Sequence, residues 1–322
     1  MMIELEQVTK LYGSVIGVND INLALKPGTY GLLGPNGSGK TTLINLILGQ
    51  LRPTLGAVRL FGKNPWSRDS LMKKIGLCPA TEVSYPRVTG YQWVKYLIRK
   101  QGFSSRVADQ LAKKSLSQVR LEEAMHRPMQ NYSLGMRQRA KLAQAIAHEP
   151  DLLILDEPFN GLDPVGRMEM IQFLKDWAGQ GRSLILASHI LHEVEAVNPS
   201  FLLISGGRLL ASGSPDQVRS ILADTPNTIR LRTSNPRQLA SQLVEHVAVD
   251  EISIVAAERG EVGEVLQVAT RSAAQVYQAL PDLLANRDVQ IYEMQSADES
   301  LGHLFSTLMK IHRGESQGGP LT

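Results

Sequence analysis

The run Gly34-Pro35-Asn36-Gly37-Ser38-Gly39-Lys40-Thr41-Thr42 fits the pattern GxxxxGK[ST], and the chemistry open to it is the handling of a polyphosphate. Gly34, Gly37 and Gly39 let the backbone wrap closely enough for successive N–H groups to point at phosphate oxygens. A helix starting behind them adds the positive end of its dipole. Lys40 is placed to reach the β- and γ-phosphates, Thr41 offers its hydroxyl to Mg²⁺, and Thr42 adds a further phosphate contact. A Gly-rich strand-to-helix turn without a ligand is the alternative. Against it, the flanks agree with the motif: an apolar run over 30–33 precedes, and Leu43, Ile44, Ile47, Leu48 and Leu51 follow at helical spacing. The segment predicts binding of a nucleoside triphosphate.

The elements that position this loop are written as unbroken aliphatic runs. Leu152-Leu153-Ile154-Leu155 stops at Asp156-Glu157-Pro158, and a second run over 183–187 stops at Ser188-His189. Such runs predict central parallel strands covered on both faces. Ligands of open α/β sheets sit beyond the carboxyl ends of the strands, so Asp156, Glu157 and His189 should converge with Lys40. Asp156 suits the Mg²⁺ shell, because a hard cation prefers oxygen and keeps much of its water. Glu157, the adjacent carboxylate, suits the general base that takes a proton from water. His189 would contact the γ-phosphate and fix base and water, although a lone His at a strand end is more often structural.

Asn131-Tyr132-Ser133-Leu134-Gly135-Met136-Arg137-Gln138-Arg139 opens a further helix. Ser133 can cap it and Gly135 leaves backbone open there, which makes a second phosphate site. One nucleotide needs only one cradle. The second therefore suggests the γ-phosphate of a nucleotide held by another subunit. Tyr12, in a Tyr-Gly turn ahead of the loop, is either a structural aromatic or a platform for a purine ring.

Composition sets the outer limits. At 322 residues, 43% apolar and 20% charged, the chain reads as an ordinary globular protein of about two domains. A net charge of +3 argues against a dedicated nucleic-acid binder. Lys95, Arg99, Lys100, Lys113 and Lys114 read as solvated helix faces. Cys78 is the only cysteine, which fits a reducing compartment. No leader pattern and no run of about 20 apolar residues is present, so a cytoplasmic chain is expected.

In order, alternating residues over 3–25 predict a half-buried antiparallel sheet, 57–61 another strand, and 75–80 a short buried segment. Helical spacing over about 86–148 predicts a helical subdomain inserted into the α/β core. The first domain is read as 1–222, with a last helix over 217–222 and a linker over 223–227. The order βαββαβ over 228–312 then suggests a small α+β ferredoxin-like domain. It is closed by a capping box at Ser296-Ala297-Asp298-Glu299 and a helix through 308. Residues 313–322 read as a disordered tail.

Together these motifs resemble the nucleotide-binding subunit of an ABC transporter, over about residues 2–222. Residues 34–42 look like the Walker A motif, 152–157 the Walker B motif with its catalytic glutamate, Gly161-Leu162-Asp163-Pro164 the D-loop, and His189 the switch histidine. Tyr12 sits where the family stacks an aromatic residue on adenine. The form YSLGMRQR, which keeps Ser133 and Gly135 of the usual LSGGQ signature, is similar to that of bacterial type-2 exporters, and the C-terminal segment resembles their accessory domain.

The resemblance implies a P-loop NTPase core with an antiparallel β-subdomain and a helical subdomain. It implies ATP and Mg²⁺ as ligands, contacts to the nucleotide from Ser133, Gly135 and Asp163, and a head-to-tail dimer; with phosphate loop and signature both intact a homodimer would have two competent sites, a heterodimer with a different ATPase chain being the alternative. It also implies a separate membrane permease driven from the cytoplasmic face, for export, with only indirect membrane contact. The family's Q-loop glutamine should fall at Ala80, whose methyl group neither coordinates nor hydrogen-bonds, with Glu82 two residues on. A soluble non-transport ATPase of the same family, or an ATP-binding adapter with weak hydrolysis, are the competing readings.

Overall fold

The computed structural model describes residues 1–66, 69–83, 85–197, 200–214, 227–256, 264–284 and 289–296. The chain divides into two compact units, Met1–Pro215 and Asp216–Thr322. The helix expected over 217–222, linker residues 223–226, the capping box beyond Ser296 with its helix, and the tail lie outside the described residues.

The first unit opens with β1 (Ile3–Tyr12), β2 (Val15–Leu25), β3 (Thr29–Leu33), α1 (Lys40–Ile47) and β4 (Leu55–Leu60). β2, β1 and β4 form an antiparallel sheet in that order. Ile3, Leu5 and Val8 are buried while Glu6 is exposed, as the alternation requires. The register slips between Leu5 and Val8, where Gln7 takes a left-handed φ of 49°. Phe61, expected to end β4, instead leaves the strand with φ 51°.

There follow α2 (Asp69–Met72), β5 (Ile75–Cys78), α3 (Gly90–Lys100), α4 (Ser105–Gln118), α5 (Leu134–Ile146), β6 (Leu152–Asp156), α6 (Pro164–Gly179), β7 (Ser183–Ser188), α7 (Leu191–Glu195), β8 (Phe201–Ser205) and β9 (Arg208–Gly213). The main sheet runs β5-β6-β7-β3-β8-β9, with β9 alone antiparallel to its neighbour. Every residue of β6 and β7 is buried, which their aliphatic runs anticipate. β3 lies between β7 and β8, so the phosphate loop leaves the sheet beside the carboxyl ends of β6 and β7.

α3, α4 and α5 form the helical subdomain. Thr89 and Gln92 make a reciprocal capping box on α3, and Ser104 caps α4. Arg99, Lys100, Lys113 and Lys114 are exposed, as expected of solvated helix faces, whereas Lys95 is half-buried, and Lys95 and Lys113 share one carboxylate. Lys95 lies 3.2 Å and Lys113 3.0 Å from the Asp109 carboxylate, to which the Tyr91 hydroxyl also donates, joining α3 to α4. The Tyr91 hydrogen bond and then Lys113 hold the Asp109 carboxyl well below the usual carboxylate range.

α5 packs directly on β5. A Cβ added to Gly76 would stand 2.1 Å from the Ala145 carbonyl oxygen of α5. Gly76→Ala must therefore push helix from strand, and a loss of about 1–3 kcal/mol is expected, read as a lowered Tm. An unchanged Tm would show that α5 is not seated this closely.

The second unit has β10 (Asn227–Thr233), α8 (Pro236–His246), β11 (Glu251–Ala256), β12 (Glu264–Thr270), α9 (Ala273–Leu284) and β13 (Ile291–Ser296). The sheet order β11-β12-β10-β13, with antiparallel pairs throughout, is the ferredoxin-like arrangement that the order βαββαβ anticipates. Asn235 caps α8 and Pro236 opens it. Ile229 and Leu231 of β10, Leu266 and Val268 of β12, Leu239 and Leu243 of α8, and Val276 of α9 fill its core.

Candidate functional site

The phosphate loop is shaped by backbone that side chains would obstruct. Gly37 has φ 78° and Gly39 φ 106°, both in the left-handed region. A Cβ on Gly34 would meet the Ile204 carbonyl oxygen at 2.3 Å, and one on Gly39 the Gly17 carbonyl oxygen at 2.5 Å. Pro35, Asn36 and Gly37 are exposed at the turn, and Ser38 is buried behind them. Gly39 stands at the N-cap of α1 without any side-chain cap. The first N–H groups of that helix are thus free for an acceptor supplied from outside.

Lys40 Nζ, 6% exposed, donates to the carbonyl oxygens of Gly34 at 2.6 Å and Pro35 at 3.2 Å. It also lies 3.4 Å from Glu157 Oε1. Glu157 has a left-handed φ of 51°, a strained conformation for a residue with a side chain, and its N–H donates to Ala187 at 2.9 Å. Its Oε2 lies 2.8 Å from His189 Nδ1. A carboxylate only accepts, so Nδ1 carries the hydrogen of that bond. Thr41 Oγ1 donates to Asp156 Oδ2 at 2.8 Å. Burial raises the Asp156 carboxyl above its ordinary range, partly opposed by the Thr41 hydrogen bond. Lys40, Thr41, Asp156, Glu157 and His189 are therefore brought together on one sheet edge.

Three buried oxygens there lack hydrogen-bond partners: Ser38 Oγ, Asp156 Oδ1 and Glu157 Oε1. Leaving such groups unpaired is costly, so the site fits a ligand that brings donors and positive charge to them. The donor set of a hydroxyl and a carboxylate suits a hard cation. Among the described residues no cluster of three or more His, Cys, Asp or Glu could hold a metal. A cation here would be held by few protein oxygens together with phosphate and water.

Tyr12 is 45% exposed, and its ring covers Gly17, where a Cβ would stand 2.7 Å from Tyr12 Cε2 and 3.0 Å from Thr42 Cγ2. An aromatic face thus lies close to the start of α1.

Ser133, Gly135 and Asp163 are gathered elsewhere. They line a cavity of about 600 Å³ with Leu134, Gly161 and Leu162, to which the phosphate loop contributes nothing. Ser133 Oγ accepts from Met136 N at 3.2 Å and caps α5. Asp163 Oδ1 accepts from Gly166 N at 2.7 Å and caps α6.

Sequence reasoning missed a set of polar side chains on α5 and the turn that follows it, facing β5. Gln144 donates to the Leu77 carbonyl, His148 lies 2.9 Å from that of Ile75, and Gln138 3.8 Å from Cys78 Sγ. Lys141 donates to the Pro79 carbonyl at 2.7 Å and that of Thr81 at 3.2 Å. The spacing 138, 141, 144, 148 is helical and was visible. Its targets are mostly main-chain oxygens, which side-chain patterns do not announce. Burial pushes the Cys78 thiol beneath this helix up to about 12.

Comparison with known proteins places this geometry. The family model described as ABC transporter matches residues 18–160. The chain is 41% identical over 212 residues to the bacitracin transport ATP-binding protein BcrA of Enterococcus faecalis, covering 65% of this chain and 68% of that protein. It is 35% identical over 216 residues to the Nod factor export ATP-binding protein I of Cupriavidus pinatubonensis, covering 66% of each. Among solved structures it resembles the dimeric post-hydrolysis state of the ATP-binding cassette MJ0796 bound to ADP and Pi. That match has a TM-score of 0.61 at 25% identity and covers 66% of this chain and 98% of that one. A phosphate loop, strand-end carboxylates and a histidine on one edge of this sheet, with relatives of this length and identity, make the chain a member of the ABC transporter ATP-binding family and an ATP hydrolase.

Proposed function

We propose that the chain is the ATP-hydrolysing subunit of an exporter, working as a head-to-tail homodimer on a separate membrane permease. The observation that carries this reading is the convergence of Lys40, Thr41, Asp156, Glu157 and His189 around three buried oxygens that accept no hydrogen bond. ATP lies along residues 34–42, its phosphates accepting from the loop and the first turn of α1, with adenine on Tyr12. Lys40 exchanges its loop carbonyls for β- and γ-phosphate oxygens. Thr41 and Asp156 would hold Mg²⁺, which supplies charge neutralisation across the phosphates when bound. Glu157 takes the proton of the attacking water, and His189 holds that carboxylate in place through its Nδ1 hydrogen. Water attacks the γ-phosphorus, the bond to the bridging oxygen breaks, and ADP and phosphate leave.

Ser133 and Gly135 lie in a cavity that the phosphate loop does not line, which supports completion of each site by the other protomer. There the capped N-terminus of α5 and Asp163 would meet the γ-phosphate side. Among the described residues no helix is long and apolar enough to cross a membrane. The reading therefore assigns membrane passage to the permease and places this subunit on its cytoplasmic face. Export rests on the likeness to the Nod factor export protein.

Ser133→Arg tests the shared site. It should lower ATP turnover about a hundred-fold while monomer affinity for ATP stays within about three-fold, since the residue contacts only a partner's nucleotide. Turnover at the wild-type rate, or loss of binding in the monomer, would refute completion by a second protomer.

A further inference from the structure

The four polar side chains that α5 and the turn after it direct at β5 and the loop beyond do not all serve the same end. The Ile75 and Leu77 carbonyls face away from β6 at the outer edge of the sheet, and His148 and Gln144 occupy them as a neighbouring strand would. Lys141 reaches past the strand. Its ammonium, 3% exposed, donates to Pro79 and Thr81, so the two carbonyls that bracket Ala80 are held by one cation of α5.

A buried ammonium is costly to keep, and an aliphatic residue would pack a helix on an edge strand with less penalty. Burial also holds the Lys141 ammonium below the ordinary lysine range, opposed by Cys78, by Glu82 of the loop and by Asp156 at the end of β6. The cation stands where the loop needs a tether, because the side chain at 80 is a methyl group and supplies none. The same helix begins at Ser133. Lys141 thus shares a helix with that end and interacts electrostatically with the Asp156 carboxylate.

We propose that Lys141 is a positioning residue that fastens residues 79–81 to α5, supplying from the helix the link that Ala80 cannot make. The helical subdomain and the loop beside Asp156 then move as one body when the site closes. The proposal rests on the catalytic reading given above.

Lys141→Met keeps most of the stem and removes the donors. Its kcat is expected to fall about ten-fold while affinity for a fluorescent ATP analogue stays within about three-fold. Lys141→Arg should recover most of the loss, and adding Ala80→Gln to Lys141→Met should recover part of it by restoring a polar side chain at 80. Amide exchange over residues 80–83 should quicken in Lys141→Met, whichever group acts as base. An unchanged kcat or unchanged exchange overturns the proposal. So does a fall in kcat matched by loss of binding and of Tm that neither second variant repairs. Should Lys141→Met fail to fold, Lys141→Gln with and without Ala80→Gln is measured instead, and absence of recovery again overturns it. Hydrolysis that persists in Glu157→Gln would count against the catalytic reading alone.

Discussion

Glu157→Gln should lower steady-state ATP turnover by about a hundred-fold or more and leave ATP binding intact. The amide matches the carboxylate in shape and can still accept from His189 Nδ1, now 2.8 Å from Oε2. What it loses is basicity: it cannot take the proton of water. Because φ at 157 is 51°, the side chain is aimed by a strained backbone, which a glutamine inherits unchanged. Loading with ATP should therefore trap the closed state, and the dimer should accumulate in light scattering while phosphate release stays near background. Turnover within a few-fold of wild type would remove Glu157 from the role of base. Loss of ATP binding would instead mean that the carboxylate holds the loop together through Lys40.

Lys40→Ala should weaken ATP binding by at least about ten-fold and cut turnover by about a hundred-fold, since charge-assisted bonds to phosphate are lost in ground and transition states alike. The structure adds a second consequence. Lys40 Nζ holds the carbonyls of Gly34 and Pro35 and stands 3.4 Å from Glu157, so its removal leaves a buried carboxylate without its neighbouring cation. A lowered Tm in the nucleotide-free protein is expected to accompany the loss of binding. Lys40→Arg should not restore it, because a planar guanidinium cannot occupy the place of a compact ammonium. Calorimetry with ATP and a thermal melt check the two effects separately. Full affinity in Lys40→Ala would reject the phosphate role.

Much of the candidate site was legible because its signals are local. Three glycines before Lys40, and carboxylates or histidine directly after an aliphatic run, specify both a backbone conformation and its place at a strand end. The ferredoxin-like unit was legible for a similar reason, alternation and caps falling in a βαββαβ order. What escaped depends on contacts distant in sequence. Asp109 and Lys113 stand at the i, i+4 spacing of a helical ion pair, but nothing in the sequence signals that Tyr91 and Lys95 of α3 will meet the same carboxylate, so the joint between the two helices was not expected. The left-handed backbone at Gln7 and Glu157 also has no composition to mark it. The α5 set escaped because its carbonyl targets belong to every residue type.

That set has a consequence for the chain before and after it is at work. An edge strand with free acceptors is a template on which another molecule's strand can dock, and sheets that end in one are prone to grow into aggregates. At β5 the Ile75 and Leu77 acceptors are already occupied, and Gly76 lets α5 sit too close for a foreign strand to enter. The helix that opens at Ser133 thereby also keeps this border of the sheet shut in a crowded, freshly translated chain.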